Sequence, residues 1–423
     1  MRITKAKASR VARWAKLDWE PVTDPRAARG KRHQHHGLLN LLVAAFACGD
    51  RTLRQVEEFG EDLSARARRA MGLRKAASDT ALYKLLEAHE PSGFAAVLER
   101  QVKEGLRSKA IRNDLFSEGV IAIDGKASWV GKHAARHAQR CRHDDGSPYW
   151  MLFAQRAVLV SSSAAPCVFQ QFIADKTNEL ASFEACFREL HARFGKSFEV
   201  VTSDAGACSR HNARVVHEAG KAYLFTLKEN QPNLLLAARA RLGTHADQSD
   251  AHRRGDARTT ERYRGHDVTR ELFRVSVDES DPEIVMPGAR QLWRVRQRSE
   301  RRNSAGHLVS TSVEDRYFVT NRHLAPDRCL RLVRLHWRIE NAANWTLDMV
   351  VGEDDAAPCA QGHGIAVVSW LRQLAYNLIS LWRSKLDGSH GEAMGWRRAC
   401  ELLERAFLVA DLGADKEAPA TLA

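Results

Sequence analysis

Three acidic residues stand where the chain can do chemistry. Asp124 follows the apolar run Val120 to Ile123, Asp204 follows Phe198 to Ser203, and Glu340 falls in a stretch from Arg334 to Asp355 whose apolar residues recur at helical steps. Each short apolar run reads as a strand buried on both faces, and open α/β sheets gather ligands beyond the carboxyl ends of their strands. Gly125 should let the chain turn sharply and leave Asp124 exposed at such an end. Asp204 gives way, through Ala205, Gly206 and Ala207, to a helix from about Ser209 to Ala219. If the two strands are neighbours, the two aspartates lie side by side. On a helix, Val333, His336, Trp337, Glu340, Ala343, Asn344 and Leu347 share one mostly apolar face, which carries Glu340 inward. An inward carboxylate needs a partner, either His336 four residues back or a metal ion. An Asp-Gly pair alone commonly just closes a β-turn, so it is the combination that carries weight.

Carboxylates from two strand ends and one helix could hold two magnesium ions, hard cations that take oxygen ligands, with manganese as a substitute. In phosphodiester chemistry such a pair activates the attacking oxygen and stabilises the leaving one. Asp348 and Glu353, in the same acidic stretch, are the alternatives to Glu340.

With these residues in view, the chain resembles the DDE transposases of H-repeat-associated, ISAs-one type insertion sequences. The matching elements are Asp124-Gly125-Lys126, Lys176-Thr177-Asn178-Glu179, the Asp204-Ala205 turn and Leu227-Lys228-Glu229-Asn230-Gln231-Pro232. They continue with His336-Trp337-Arg338-Ile339-Glu340-Asn341, then Trp345, Leu347-Asp348 and Glu353-Asp354, and the late helix Leu371 to Leu378. The resemblance runs from about Asp24 to Leu381. It implies a ribonuclease-H-like core with Asp124, Asp204 and Glu340 as catalytic triad and metal ligands, acting on DNA by strand cleavage and strand transfer. Candidate DNA contacts are Lys126, Lys132, Lys228, Asn230, Arg334, His336, Arg338 and Asn341. The chain departs from the family in having Ala127-Ser128-Trp129-Val130 after Lys126 and Asn344 where a His before the second Trp is common. A DNA-binding protein that has lost catalysis, and a ribonuclease-H-like nuclease without strand transfer, are the competing readings.

The elements that must position these residues form an α/β chain: a mixed ribonuclease-H-like sheet, a β-rich insertion before the Glu340 helix, and a small all-helical domain in front. Residues 1–36 read as a basic arm and 37–115 as helical, compatible with DNA-end binding, with helices at Gly37 to Ala47, Thr52 to Phe59, Ser78 to Glu87 and Phe94 to Leu106 and a basic loop from Arg66 to Arg74. The core spans 116–235 and 321–386, the insertion 236–320, and a helix and tail 387–423. Within the insertion, Arg294, Arg296, Arg298, Arg301 and Arg302 suggest either a DNA-facing hairpin or a solvated edge. His133, His137, Cys141 and His143 would make a zinc geometry on a helix, though a solvated basic loop along phosphates explains them more simply.

A formal net charge of +13 over 423 residues suits a polyanionic partner. The eight cysteines show no Cys-x-x-Cys pair and no short secreted framework. With no apolar run of membrane-span length and no apolar leader, the expected setting is the cytoplasm of a bacterial-type cell, on the nucleoid when DNA is bound. Self-association on DNA is also expected.

Overall fold

The computed structural model describes residues 17–27, 31–131, 135–173, 179–247, 253–263, 265–278, 280–303, 305–355, 357–386 and 394–409. The first helices are α1 (His35–Cys48), α2 (Leu53–Asp62), α3 (Ala65–Met71), α4 (Asp79–Ala88) and α5 (Phe94–Arg107). Their starts are set locally. Thr52 forms a capping box with Gln55, and the Ser64 and Ser78 hydroxyls each accept a first-turn backbone N–H. Helix α3 takes most of the stretch expected to be a basic loop, because Ser64 starts it, Ala67 and Met71 bury its inner side, and Gly72 ends it at φ 91°.

Strands β1 (Val120–Gly131), β2 (Gln139–Arg142), β3 (Pro148–Leu159) and β4 (Cys167–Phe172) follow, then α6 (Glu179–Phe194), β5 (Val200–Ser203), α7 (Arg210–Glu218), β6 (Ala222–Leu227) and α8 (Pro232–Leu242). The next strands are β7 (Ala257–Tyr263), β8 (His266–Ser276), β9 (Gln291–Arg302) and β10 (Leu308–Thr320). The chain continues as α9 (Pro326–His336), a π-helix (Ile339–Asn344), α10 (Trp345–Met349), α11 (Gly364–Arg383) and α12 (Trp396–Val409).

The strands form one mixed sheet in the order β2-β3-β1-β5-β6-β10-β9-β8-β7, with β4 also on β3. Strands β1, β5 and β6 run parallel, while β3 is antiparallel to β1 and β4 to β3. A three-strand meander joined by two parallel strands through crossover helices is the ribonuclease-H-like arrangement. The insertion is not a separate layer. Its strand β10 pairs with β6, so β7–β10 lengthen the same sheet. There Arg294 is buried against Asp315, Arg296 reaches Glu271, and Arg298 and Arg302 reach Glu300. Arginine charge expected to face DNA is thus matched, across strands for Arg294 and Arg296 and within β9 for Arg298 and Arg302.

Side-chain alternation divides the sheet's two faces. Val120, Ala122 and Val200 join a core with α1, α9 and α11, whereas Ile121, Ile123 and Val201 join another with α6, α7 and α8. Helix α11 is buried from Gly364 to Trp382. Its Asn377 side chain accepts from the Cys167 N–H and donates to the Cys167 carbonyl, both at 2.8 Å, serving β4 as an adjacent strand would. Among the described residues no helix is long and apolar enough to cross a membrane.

Candidate active site

Asp124 does not end its strand. Strand β1 runs through Gly125 to Gly131, because β3 pairs with it along that whole length and sets Arg156 opposite Asp124. What ends is the neighbour: β5 stops at Ser203, and the parallel register closes at Ile123 and Ser203. The residues that follow along the two backbone segments are Asp124 and Asp204. By alternation both belong with Ala122 and Thr202, on the α9 side of the sheet. The Asp204 carboxylate accepts the Gly206 N–H at 2.9 Å and so caps the turn Ala205–Ala207. Asn230 braces that turn from the β6 side, its Nδ2 donating to the Ala205 carbonyl at 2.6 Å.

Glu340 is not on a buried helical stripe. The helix changes from α to π at Ile339–Asn344. The wider turn puts Ile339 and Ala343 in the core while Glu340 is exposed. Its carboxyl is still flanked closely enough by protein to be raised above the usual range, first by lost solvation and then by the Asp204 charge, with Arg316 and Lys228 acting in the opposite sense. His336 does not pair with it. That ring is buried, with Nδ1 3.1 Å from Thr202 Oγ1, and burial followed by the Arg316 charge pushes it down to about 4, so it is neutral near pH 7.

At the other end of the π-helix, Asn344 Nδ2 donates to Asp124 Oδ2 at 3.0 Å, and Asn344 Oδ1 is buried without a hydrogen-bond partner. The π-helix is therefore bonded to Asp124 through Asn344 and lies near enough to Asp204 for that charge to act on Glu340. Among the described residues no three His, Cys, Asp or Glu side chains are gathered closely enough to form a ready-made cation site. Magnesium seldom needs one, since it is usually held by one or two carboxylates together with water and substrate phosphate. The donors fit that use: they are anionic oxygens, one with a carboxyl raised by its surroundings, beside an unpaired amide oxygen.

The alternatives to Glu340 have other partners. Asp348 Oδ2 accepts from Lys126 Nζ at 2.8 Å, and Glu353 is buried against Arg156. Lys126 also reaches Asp354 at 3.3 Å. Among the remaining candidate DNA contacts, Arg338 donates to the carbonyls of Val160 and Ser162 at 2.7 Å and Ser163 at 2.9 Å, and Arg334 pairs with Glu261. Asn341 Nδ2 donates to the Trp337 carbonyl at 3.0 Å. Lys228 is exposed and contributes to the field at Glu340. Lys132, His133 and the motif residues Lys176, Thr177 and Asn178 lie outside the described residues. The helix that would align His137 and Cys141 does not form: Cys141 lies in β2, and His137, at φ 73°, meets His363 at 2.8 Å.

Sequence reasoning missed Asn344 and Arg156 as site neighbours. A charged Arg156 within the apolar run of β3 was a signal. Asn344 gave two, its place on the helical face of Glu340 and its departure from a familiar motif.

Residues 115–378 match the family model described as Transposase DDE domain, and residues 19–101 match the one described as DDE_Tnp_1-associated. The protein YbfL of Escherichia coli (strain K12) is 24% identical over 364 residues, covering 85% of this chain and 88% of that one. The H repeat-associated YhhI of the same organism is 25% identical over 264 residues, covering 62% and 64%. A solved piggyBac transposase synaptic complex with hairpin DNA aligns at 10% identity and TM-score 0.46, over 98% of this chain and 80% of that one. The family model takes in more than half of the chain, which therefore belongs to the DDE transposase family.

Proposed function

We propose that this transposase binds the ends of its mobile element and cleaves them in a metal-dependent reaction, with Asp124, Asp204 and Glu340 as the catalytic carboxylates. The freed 3′ hydroxyl then joins to target DNA. The observation that carries the reading is the end of the β1–β5 parallel pairing at Ile123 and Ser203, just before Asp124 and Asp204, under a π-helix whose Asn344 bonds Asp124 and whose Glu340 feels the Asp204 charge.

In the hydrolytic step water attacks the scissile phosphorus, the bond to the 3′ oxygen breaks, and that oxygen takes up a proton. In transfer the same 3′ hydroxyl attacks a target phosphodiester and a target 3′ hydroxyl leaves. Bound magnesium, or manganese in its place, supplies activation of the attacking oxygen and charge neutralisation at the leaving one. Asp124 and Asp204 supply fixed anionic oxygens from the sheet. Glu340 would be the third ligand; its carboxyl is raised first by lost solvation and then by the Asp204 charge, and a bound cation would offset both. Lys228, exposed beside Glu340, is the best placed of the phosphate contacts. Asn230 keeps the Asp204 turn in shape; of the other expected contacts Arg334 and Asn341 are exposed towards a DNA strand, Lys126 is held by Asp348 and Asp354, and the buried His336 and the carbonyl-bound Arg338 support the site from within.

The test is to incubate the purified chain with labelled element ends, target DNA and magnesium. Nicked ends and joined products support the reading. Nicking without joining would support a nuclease, and binding without nicking a DNA-binding descendant.

A further inference from the structure

We propose that Asn344 is itself part of the divalent-cation site, steering Asp124 with its amide nitrogen and presenting Oδ1 as a neutral oxygen donor to the cation. This rests on the cation reading above and adds a ligand outside the three carboxylates.

A side-chain amide carries two N–H donors on one atom and an acceptor oxygen on the other. Asn344 uses Nδ2 on Asp124 Oδ2 at 3.0 Å. Turning the amide over would set its oxygen against a carboxylate oxygen, so Asp124 fixes which way Oδ1 points. That oxygen is buried and has no hydrogen-bond partner. An unmet buried acceptor is costly, and a hard cation or a water bound to it would satisfy it.

Position strengthens the case. Asn344 closes the π-helix that begins at Ile339, and such wide turns are frequent at functional sites. Glu340, four residues earlier, is coupled to Asp204, while Asn344 is bonded to Asp124. One wide turn thus offers two oxygen-bearing side chains to the two aspartate positions. An Asn that only held Asp124 in place would be equally well served by any N–H donor, which gives the means of separating the two roles.

The experiment uses the full-length chain without DNA and measures manganese binding by the electron paramagnetic resonance of the free ion, with magnesium as competitor. Asn344→Leu removes both functions and should weaken manganese binding by about tenfold or more, the usual cost of losing a group that ligates or orients a ligand. Asn344→His restores an N–H for Asp124 but offers nitrogen instead of oxygen. It should regain manganese binding and lose competition by magnesium, because imidazole suits transition metals and carbonyl oxygen suits magnesium. Unchanged binding in Asn344→Leu would overturn the proposal. So would an Asn344→His variant with the wild-type preference between the two metals, since that outcome leaves only a positioning role. If Asn344→Leu melts well below wild type without metal, the His variant carries the test alone. Wild type that binds no manganese, or binds it equally after Asp204→Asn, would overturn the cation reading itself. Binding that depends on Asp204 but not on Asn344 would overturn only this inference.

Discussion

Arg156 of β3 and Glu353 of the segment after α10 meet as a fully buried ion pair, with Arg156 Nη1 donating to Glu353 Oε2 at 2.7 Å. Arg156 Nε also donates to Gln170 at 2.9 Å. The pair ties the acidic segment after the π-helix to the strand beside Asp124. Burial alone would raise the Glu353 carboxyl, but the Arg156 charge and hydrogen bonds outweigh it and hold it below the usual range.

Glu353→Gln leaves a buried guanidinium without its counter-charge and should destabilise the fold by about 3–5 kcal/mol. Arg156→Met combined with Glu353→Leu should recover much of that loss. Because the folded carboxyl is depressed, its stabilisation is present above about pH 4.3, the unfolded value, and is lost as pH falls through the lower folded value. Urea unfolding of the three proteins at pH 7 checks the first two expectations, and an acid titration of the wild type checks the third.

Asp204→Asn keeps the shape of the turn and its acceptor for the Gly206 N–H. It should fold and bind element ends as wild type does while cleavage falls at least about a hundredfold, the scale of losing one transition-state charge contact. A turn-closing Asp204 would tolerate Asn, so retained nicking with magnesium or manganese would remove it from the site. Melting and binding must be measured on the same preparation.

His336 should make the fold sensitive to mild acid. Its folded value of about 4 lies below the unfolded value of about 6.5. The unfolded chain therefore binds more protons between those values, and stability falls as pH drops from 6.5 towards 4, by about 3 kcal/mol in all. His336→Leu should be less stable at pH 7, having lost the contact with Thr202, and should lack this component of the decline. Thermal melts from pH 7 to pH 4.5 would show two parallel curves if His336 did not titrate this way.

Binding to element ends should weaken steeply with salt, since a net charge of +13 points to contacts with many phosphates, each releasing counterions. Fluorescence anisotropy between 50 mM and 200 mM salt should show a loss on the order of a thousandfold for six or more contacts. A flat dependence would mean that the arginines paired inside β8–β10 leave too little free charge for this mode.

The sequence by itself determined what is local. Apolar runs set β5 and β6, hydroxyl caps set the starts of α2 and α4, Pro232 and Leu242 bound α8, and the motif residues marked Asp124, Asp204 and Glu340 as the acids to watch. Tertiary structure decided what depends on a partner strand or on the course of a helix. Strand β1 passes straight through Asp124-Gly125 because β3 continues its ladder, and no local signal in Gly125 reports that. The insertion joins the main sheet because β6 has an edge for β10 to cover. The π turn is a mismatch of one residue against an ideal α-helix, invisible to a periodicity count, yet it moves Glu340 from the buried stripe to the solvent and sets Asn344 on Asp124. Side-chain partners 220 residues apart, such as Asn344 and Asp124, are fixed by packing of the helix on the sheet, and only the folded chain reveals them.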